Sequence, residues 1–306
     1  MTGNMTMQSS TDTQHSFIAG TLYALAAFVT WGFLPAYWKL LYQVQSLEIL
    51  AHRIFWSCIF VSIILLAKGQ WMSIVRPLTD RRQCVGMLLS TVLISINWFL
   101  YIWAVNSAHM VEASLGYYIN PLFSVVLGVL VFRERFGLWE RVSLSLAAVG
   151  VLILTMSYGK VPWISLTLAV SFGLYGLSKK LTPVGSMAAL GLETLLMSPL
   201  CLLYIGLRGY RGVGAFGAIS WPVTLLLIVA GVVTALPLFW FAQAAKLIPL
   251  SRVGFIQYLA PSLMLLLGVL VYGESFTRAH LISFGCIWGA LLIYSGSQML
   301  LREQKQ

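Results

Sequence analysis

Apolar stretches long enough to cross a bilayer alternate with short polar breaks along the whole chain, and ten can be counted. They run approximately over Phe17–Trp38, Leu47–Ala67, Cys84–Val105, Val111–Phe132, Val142–Ser157, Pro162–Leu177, Met187–Leu207, Trp221–Ala245, Val253–Tyr272 and Leu281–Met299. A spanning helix needs roughly 20 predominantly apolar residues, so each run predicts one transmembrane helix. The breaks hold only a few residues and leave no room for a soluble catalytic or regulatory domain.

The pattern also repeats. From Tyr118 and again from Tyr258, the string Tyr-x-x-Pro, five residues, then Leu-Gly-Val-Leu-Val-x-x-Glu-x-Phe recurs without a gap, an offset of 140 residues. Pro121 falls on Pro261, Glu134 on Glu274 and Phe136 on Phe276; the same offset lays Lys39 on Lys179 and Ser143 on Ser283. A constant offset over so much chain means that a whole unit was duplicated. The expected plan is a short cytoplasmic tail (1–16), a first five-helix repeat (17–158), a second (159–300) and a cytoplasmic tail (301–306). Because five is odd, each copy starts and ends on opposite membrane faces, so the second enters upside down. The fold class is therefore an all-α integral membrane protein, ten helices in two inverted repeats, a plan that puts a cavity near mid-membrane between the halves.

Composition agrees. Of 306 residues, 59% are hydrophobic and 9% charged, with a mean hydropathy of +0.87. That is more apolar surface than a soluble domain buries. The net charge of +10 forms no continuous face and implies no nucleic acid. Its placement reads as topology instead. With the N-terminus inside, the inner loops and tail hold thirteen basic residues: Lys68, Arg76, Arg81, Arg82, Arg133, Arg135, Arg141, Lys179, Lys180, Lys246, Arg252, Arg302 and Lys305. The outer side holds six: Lys39, Arg53, Lys160, Arg208, Arg211 and Arg278. Both termini are thus expected in the cytoplasm. The first 16 residues lack Lys and Arg, and the apolar run after them is longer than a signal-peptide core, so the first helix is expected to stay. Cys58, Cys84, Cys201 and Cys286 sit singly inside apolar runs without metal or disulfide spacing, which points to packing.

Within the spans, polar and aromatic residues gather on the helices that pair under the offset. Pro121 and Pro261 lie about ten residues into their helices; each removes a backbone hydrogen bond and is either a gate hinge or a static kink. Beside them stand Tyr117, Asn120, Gln257 and Tyr258. An amide in hydrocarbon costs several kcal/mol unless it is hydrogen-bonded, so Asn120 and Gln257 should face the interior. Asn97 with Tyr101 and Ser171 with Tyr175 share helix faces, and Trp31 adds a further ring. These nine residues are the candidate substrate lining, neutral and aromatic, suited to flat, partly polar organic solutes; the other use of such groups is interhelical hydrogen bonding.

The charged candidates are Lys39, Glu48, His52, Arg53 and Glu193. An intramembrane ionisable group is a functional hypothesis by default. Glu48, His52 and Arg53 begin their helix at the outer edge, where an ion cluster with Lys39 is expected. Glu193, the offset partner of Arg53, is expected either to meet Lys179 or Lys180 or to titrate as a proton-coupling carboxylate. Glu134 should pair locally with Arg133 and Arg135. Gly285 and Gly289 form a small-residue stripe that permits close helix contact, within the monomer or in a homodimer.

The run Glu112-Ala-Ser-Leu-Gly-Tyr-Tyr-Ile-Asn-Pro-Leu122, with Trp31-Gly-Phe-Leu-Pro-Ala-Tyr-Trp-Lys39 and Glu48-Ile-Leu-Ala-His-Arg53 before it, closely resembles the RarD proteins. So do Asn97-Trp98, Trp103-Ala-Val-Asn106, Gln257-Tyr258, Pro261 and Tyr272-Gly-Glu274. RarD proteins belong to the EamA group of the drug/metabolite transporter superfamily. The resemblance runs from about Phe17 to Met299 and implies a ten-helix basket in the bacterial inner membrane that exports small organic molecules; the family label "chloramphenicol-sensitive protein" names a phenotype. No enzyme signature accompanies it: His-Glu-x-x-His, Gly-x-Ser-x-Gly, a phosphate loop and Cys/His clusters are all missing from the chain, and no cofactor is expected. Two other classes stay open: an uncoupled facilitator or channel, and a membrane-embedded transferase.

Overall fold

The computed structural model describes residues 2–106, 109–159, 161–273 and 277–303; Lys160, Lys305 and the second Glu-x-Phe pair, Glu274 and Phe276, lie outside the described residues. Those residues are all-helical: α1 (Thr2–Lys39), α2 (Ser46–Ala67), α3 (Met72–Thr79), α4 (Arg81–Asn106), α5 (Met110–Phe132), α6 (Leu138–Tyr158), α7 (Trp163–Leu181), α8 (Ser186–Tyr210), α9 (Trp221–Leu247), α10 (Leu250–Gln257), α11 (Leu259–Leu270) and α12 (Arg278–Glu303). Nine segments among them are long and apolar enough to cross a membrane, with Leu250–Leu270 acting as one. The tenth expected span, α7, has 19 residues and ends on Lys179 and Lys180, which lower its hydropathy.

Two features depart from the sequence expectation. The break after the second span contains α3, amphipathic rather than a plain loop: Ile74 and Pro77 turn inward while Met72, Val75 and Leu78 stay exposed. Asp80 then stops it and starts α4, its Oδ1 accepting the backbone N–H of Gln83 at 2.9 Å. The ninth span is not one helix, because α10 ends at Gln257, the fourth residue before Pro261. A proline ring lacks the N–H that would bond the carbonyl four residues back and crowds that carbonyl. The turn closes with tighter geometry instead, Tyr258 N–H reaching Phe255 O at 3.3 Å.

The helices divide into two compact units, Met1–Ile96 with Ser178–Leu247 and Asn97–Leu177 with Ile248–Gln306, so each unit takes helices from both duplicated segments. In the first, α2 packs on α8 and α9, α1 on α9 and α3 on α8. The α2–α9 approach needs Gly231: a Cβ there would stand 2.4 Å from the Trp56 backbone, and Ser57 Oγ donates to the Gly231 carbonyl at 2.8 Å. In the second unit, α12 lies on α6 and α10 on α5. Leu115, Tyr118, Val151, Tyr258, Phe284 and Ile287 form one core there, and Ser283 Oγ bridges to the Gly150 carbonyl at 2.6 Å. Large apolar side chains such as Leu22, Phe33, Ile63, Leu130 and Leu292 face outward. That is the reverse of a water-soluble fold and fits a hydrocarbon solvent.

Candidate functional site

The polar interior of the second unit begins on α4. One turn of helix separates Asn97 from Tyr101, and the Asn97 amide donates to Leu168 O at 2.9 Å and to Ser171 Oγ at 3.0 Å. Tyr101 meets Tyr117 edge-on, ring centroids 5.8 Å apart. On α10, Gln257 Oε1 accepts from Ser124 Oγ of α5 at 3.4 Å. Of the nine expected lining residues, Asn97 thus meets Ser171 and Tyr101 meets Tyr117, while Asn120, Gln257 and Tyr258 lie on α5, on α10 and on the turn after it. Tyr175 is fully buried against Phe172, centroids 5.9 Å apart, and Tyr258 is a core residue. Trp31 belongs to the first unit, packed on Phe28 and Phe241.

Two polar atoms stand out. Asn120 Oδ1 and Tyr258 OH are buried and find no hydrogen-bond partner among the described residues. A buried unpaired amide or hydroxyl costs about 1–3 kcal/mol. They lie on α5, which carries Pro121, and on the turn that Pro261 imposes. The two prolines differ in effect: α5 runs unbroken through Pro121, whereas the helix at Pro261 is interrupted. Close packing of α5 on α10 depends on Gly254, whose Cβ would stand 2.7 Å from the Pro121 carbonyl oxygen.

Glu134 does not pair with its neighbours Arg133 and Arg135, which stay exposed. Arg133 adopts φ 52°, the left-handed cap that reverses the chain after α5. This brings the Glu134 carboxylate to the start of α10, where it accepts the backbone N–H groups of Leu250 at 2.9 Å and Ser251 at 3.1 Å. A carboxylate at a helix N-terminus meets unsatisfied donors and the positive end of the dipole. Chain order gave no hint of this, since the bond joins residues 116 apart.

The charged candidates of the first unit form two ion pairs. Glu48, 1% exposed, accepts from Arg208, a residue at the end of α8 that the expected cluster did not include, at 3.1 Å and from the Ala215 backbone N–H at 2.6 Å. Lys39 is exposed. His52 stacks on Phe216, centroids 5.1 Å apart, and Arg53 lies 5.4 Å over the Trp38 ring. Glu193 meets Lys179 at 2.7 Å with both side chains 5% exposed or less, and Ser90 Oγ donates to the same carboxylate at 2.5 Å. Nearby, Lys246 Nζ donates to the Val184 carbonyl. Arg208 and Ser90 escaped sequence reasoning because partners 160 and 103 residues away leave no local spacing to read. Gly289 packs against Leu146 within the chain, while Gly285 faces open space.

Known proteins place this architecture. The EamA-like transporter family model matches twice, over residues 18–156 and 161–296. The chain is 48% identical over 283 residues to the uncharacterized transporter YojE of Bacillus subtilis (strain 168), covering 92% of this chain and 94% of that one. It is 42% identical over 276 residues to Protein RarD of Escherichia coli (strain K12), with 90% and 93% covered. It is 30% identical over 293 residues to the chloramphenicol-sensitive protein RarD of Pseudomonas aeruginosa, with 93% and 96% covered. One crystal structure shares the fold at a TM-score of 0.69 and 19% identity, covering 90% of this chain. With two tandem family matches over an all-helical chain of membrane-crossing segments, and RarD relatives along nearly its whole length, this chain belongs to the EamA-like transporter family and is a RarD-type membrane transporter.

Proposed function

We propose that the chain exports small organic metabolites or drugs across the bacterial inner membrane by alternating access between inverted repeats, with both termini in the cytoplasm. The observation that carries this is the pair of buried oxygens without a hydrogen-bond partner among the described residues, Asn120 Oδ1 on α5 beside Pro121 and Tyr258 OH on the turn before Pro261, at the end of the α10 helix that packs on α5. A carbonyl oxygen accepts and a phenol donates, so a neutral, partly polar solute can satisfy both in one encounter. Tyr101, Tyr117 and Gln257 supply rings and a further amide around them. Asn97, Ser171 and Tyr175 of the same unit complete the proposed lining. In this scheme Pro121 and Pro261 are the gate hinges and Glu193, paired with Lys179, is the coupling carboxylate.

Proteoliposomes test it. Radiolabelled chloramphenicol serves as the first probe, since one relative is named for sensitivity to it. Asn120→Leu should weaken binding and flux together, whereas Pro261→Ala should slow flux with little change in equilibrium binding. Labelling of single cysteines from each side should shift toward one face in Pro261→Ala and toward the other in Pro121→Ala. Flux that persists without a pH gradient and is unchanged in Glu193→Gln would replace coupled export by an uncoupled facilitator. Wild-type rates and labelling in both proline variants would remove the gate.

A further inference from the structure

A polar space lies wholly inside the first unit, lined by none of the residues proposed above for substrate. Its volume is about 400 Å³ and it opens between α3, the start of α8 and α9. Leu65 and Phe239 give it an apolar side; Gln83, Ser186 and Gln243 give it a polar one; Arg76 is its sole charged lining residue. Arg76 makes no ion pair among the described residues. Ser186 is buried and its hydroxyl donates to Gln243 Oε1 at 2.9 Å. That bond occupies the amide's acceptor and leaves its NH2 group to donate. The space therefore combines a guanidinium, an amide donor and an aromatic wall.

We infer that this cavity binds a small organic carboxylate, the acid group on Arg76, an amide or keto oxygen on the Gln243 NH2 and an apolar body against Leu65 and Phe239. A guanidinium presents a planar fork of donors that matches a carboxylate, and Arg76, exposed at the rim of the space and without an ion pair among the described residues, can turn that fork on an anion held there. No acidic residue lines the cavity among the described residues. The loops at 68–71 and 182–185 border it, on the face that the basic residues assign to the cytoplasm, so as a loading site it rests on the proposed export function. As a binding site it stands without it.

N-acetyl-L-phenylalanine carries the three groups together, and its primary amide removes the charge alone. Both are offered by equilibrium dialysis to the full chain in phosphatidylcholine nanodiscs. The acid should bind ~10-fold tighter than the amide, the worth of one charge-assisted contact. Arg76→Gln should erase that difference and leave amide binding intact, while Ser73→Trp, which fills the space from α3, should abolish both at an unchanged melting temperature. Equal affinity of acid and amide, an unaffected Arg76→Gln, or no saturable binding would overturn the inference. So would loss of acid binding in phosphatidylglycerol nanodiscs, which assigns Arg76 to lipid phosphate. Flux of chloramphenicol without acid binding sinks the cavity and spares the transporter scheme; acid binding without flux of any solute does the reverse.

Discussion

Lys39 and Arg53 in the first repeat occupy the positions of Lys179 and Glu193 in the second, and one reversal of charge separates their fates. Two cations cannot bond each other; Lys39 lies exposed and Arg53 settles over Trp38. Lysine and glutamate can, so Lys179 and Glu193 close into a buried pair at 2.7 Å. Glu48 of the first repeat instead draws Arg208 from the end of α8 and the Ala215 amide from the α8–α9 connection. Duplication supplied the same helix starts and ends, and the charges then chose different partners. One end of the unit is tied by a half-wet clasp with Arg208 26% exposed, the other by a dry one. Desolvation makes the dry pair the more costly to leave half-broken.

Removing one partner of the dry pair should have the largest effect. Glu193→Ala leaves the Lys179 ammonium buried beside Ser90, and about 3–5 kcal/mol of stability should go. Denaturant melts in detergent read this directly. The double variant Lys179→Met with Glu193→Leu should recover most of the loss, because an apolar pair carries no desolvation cost. A double variant as unstable as the single would mean that the pair organises its surroundings beyond its own charges.

Glu48→Ala should cost less, about 2 kcal/mol, since Arg208 can turn to water. Its signature is local: residues 211–220 lose the Ala215 tether, so amide exchange and protease cleavage there should rise while the Glu193 variants leave that segment unchanged. Equal protection in wild type and Glu48→Ala would show that His52 on Phe216 holds the connection instead.

Smaller effects sharpen the contrast. Ser90→Ala removes one hydrogen bond to the Glu193 carboxylate and should cost about 1 kcal/mol, coupled to nothing at the Glu48 end. Arg53→Gln deletes the contact over Trp38 and should cost about 0.5–1 kcal/mol. Thermal unfolding of the two singles and the double tests both. Coupling between Ser90 and Arg53 above a few tenths of a kcal/mol would contradict two independent clasps.

The apolar runs, the duplication and the membrane class are determined by the sequence alone. Bilayer thickness demands about 20 apolar residues per crossing whatever the partners are, and family relationship is carried by residues such as Glu112 to Leu122 in their linear order. The sequence also narrowed the partner of Glu193 to Lys179 or Lys180, just across the short α7–α8 connection, and helical spacing alone carried the shared face of Asn97 with Tyr101. Tertiary structure decided everything that joins distant positions: Arg208 on Glu48, Ser90 on Glu193, Glu134 on the start of α10. It also decided that Pro121 leaves its helix whole while Pro261 interrupts its own, although both sit in the same motif. A proline removes one hydrogen bond in either place; whether the helix yields there depends on what packs against it, and packing is a property of the folded chain.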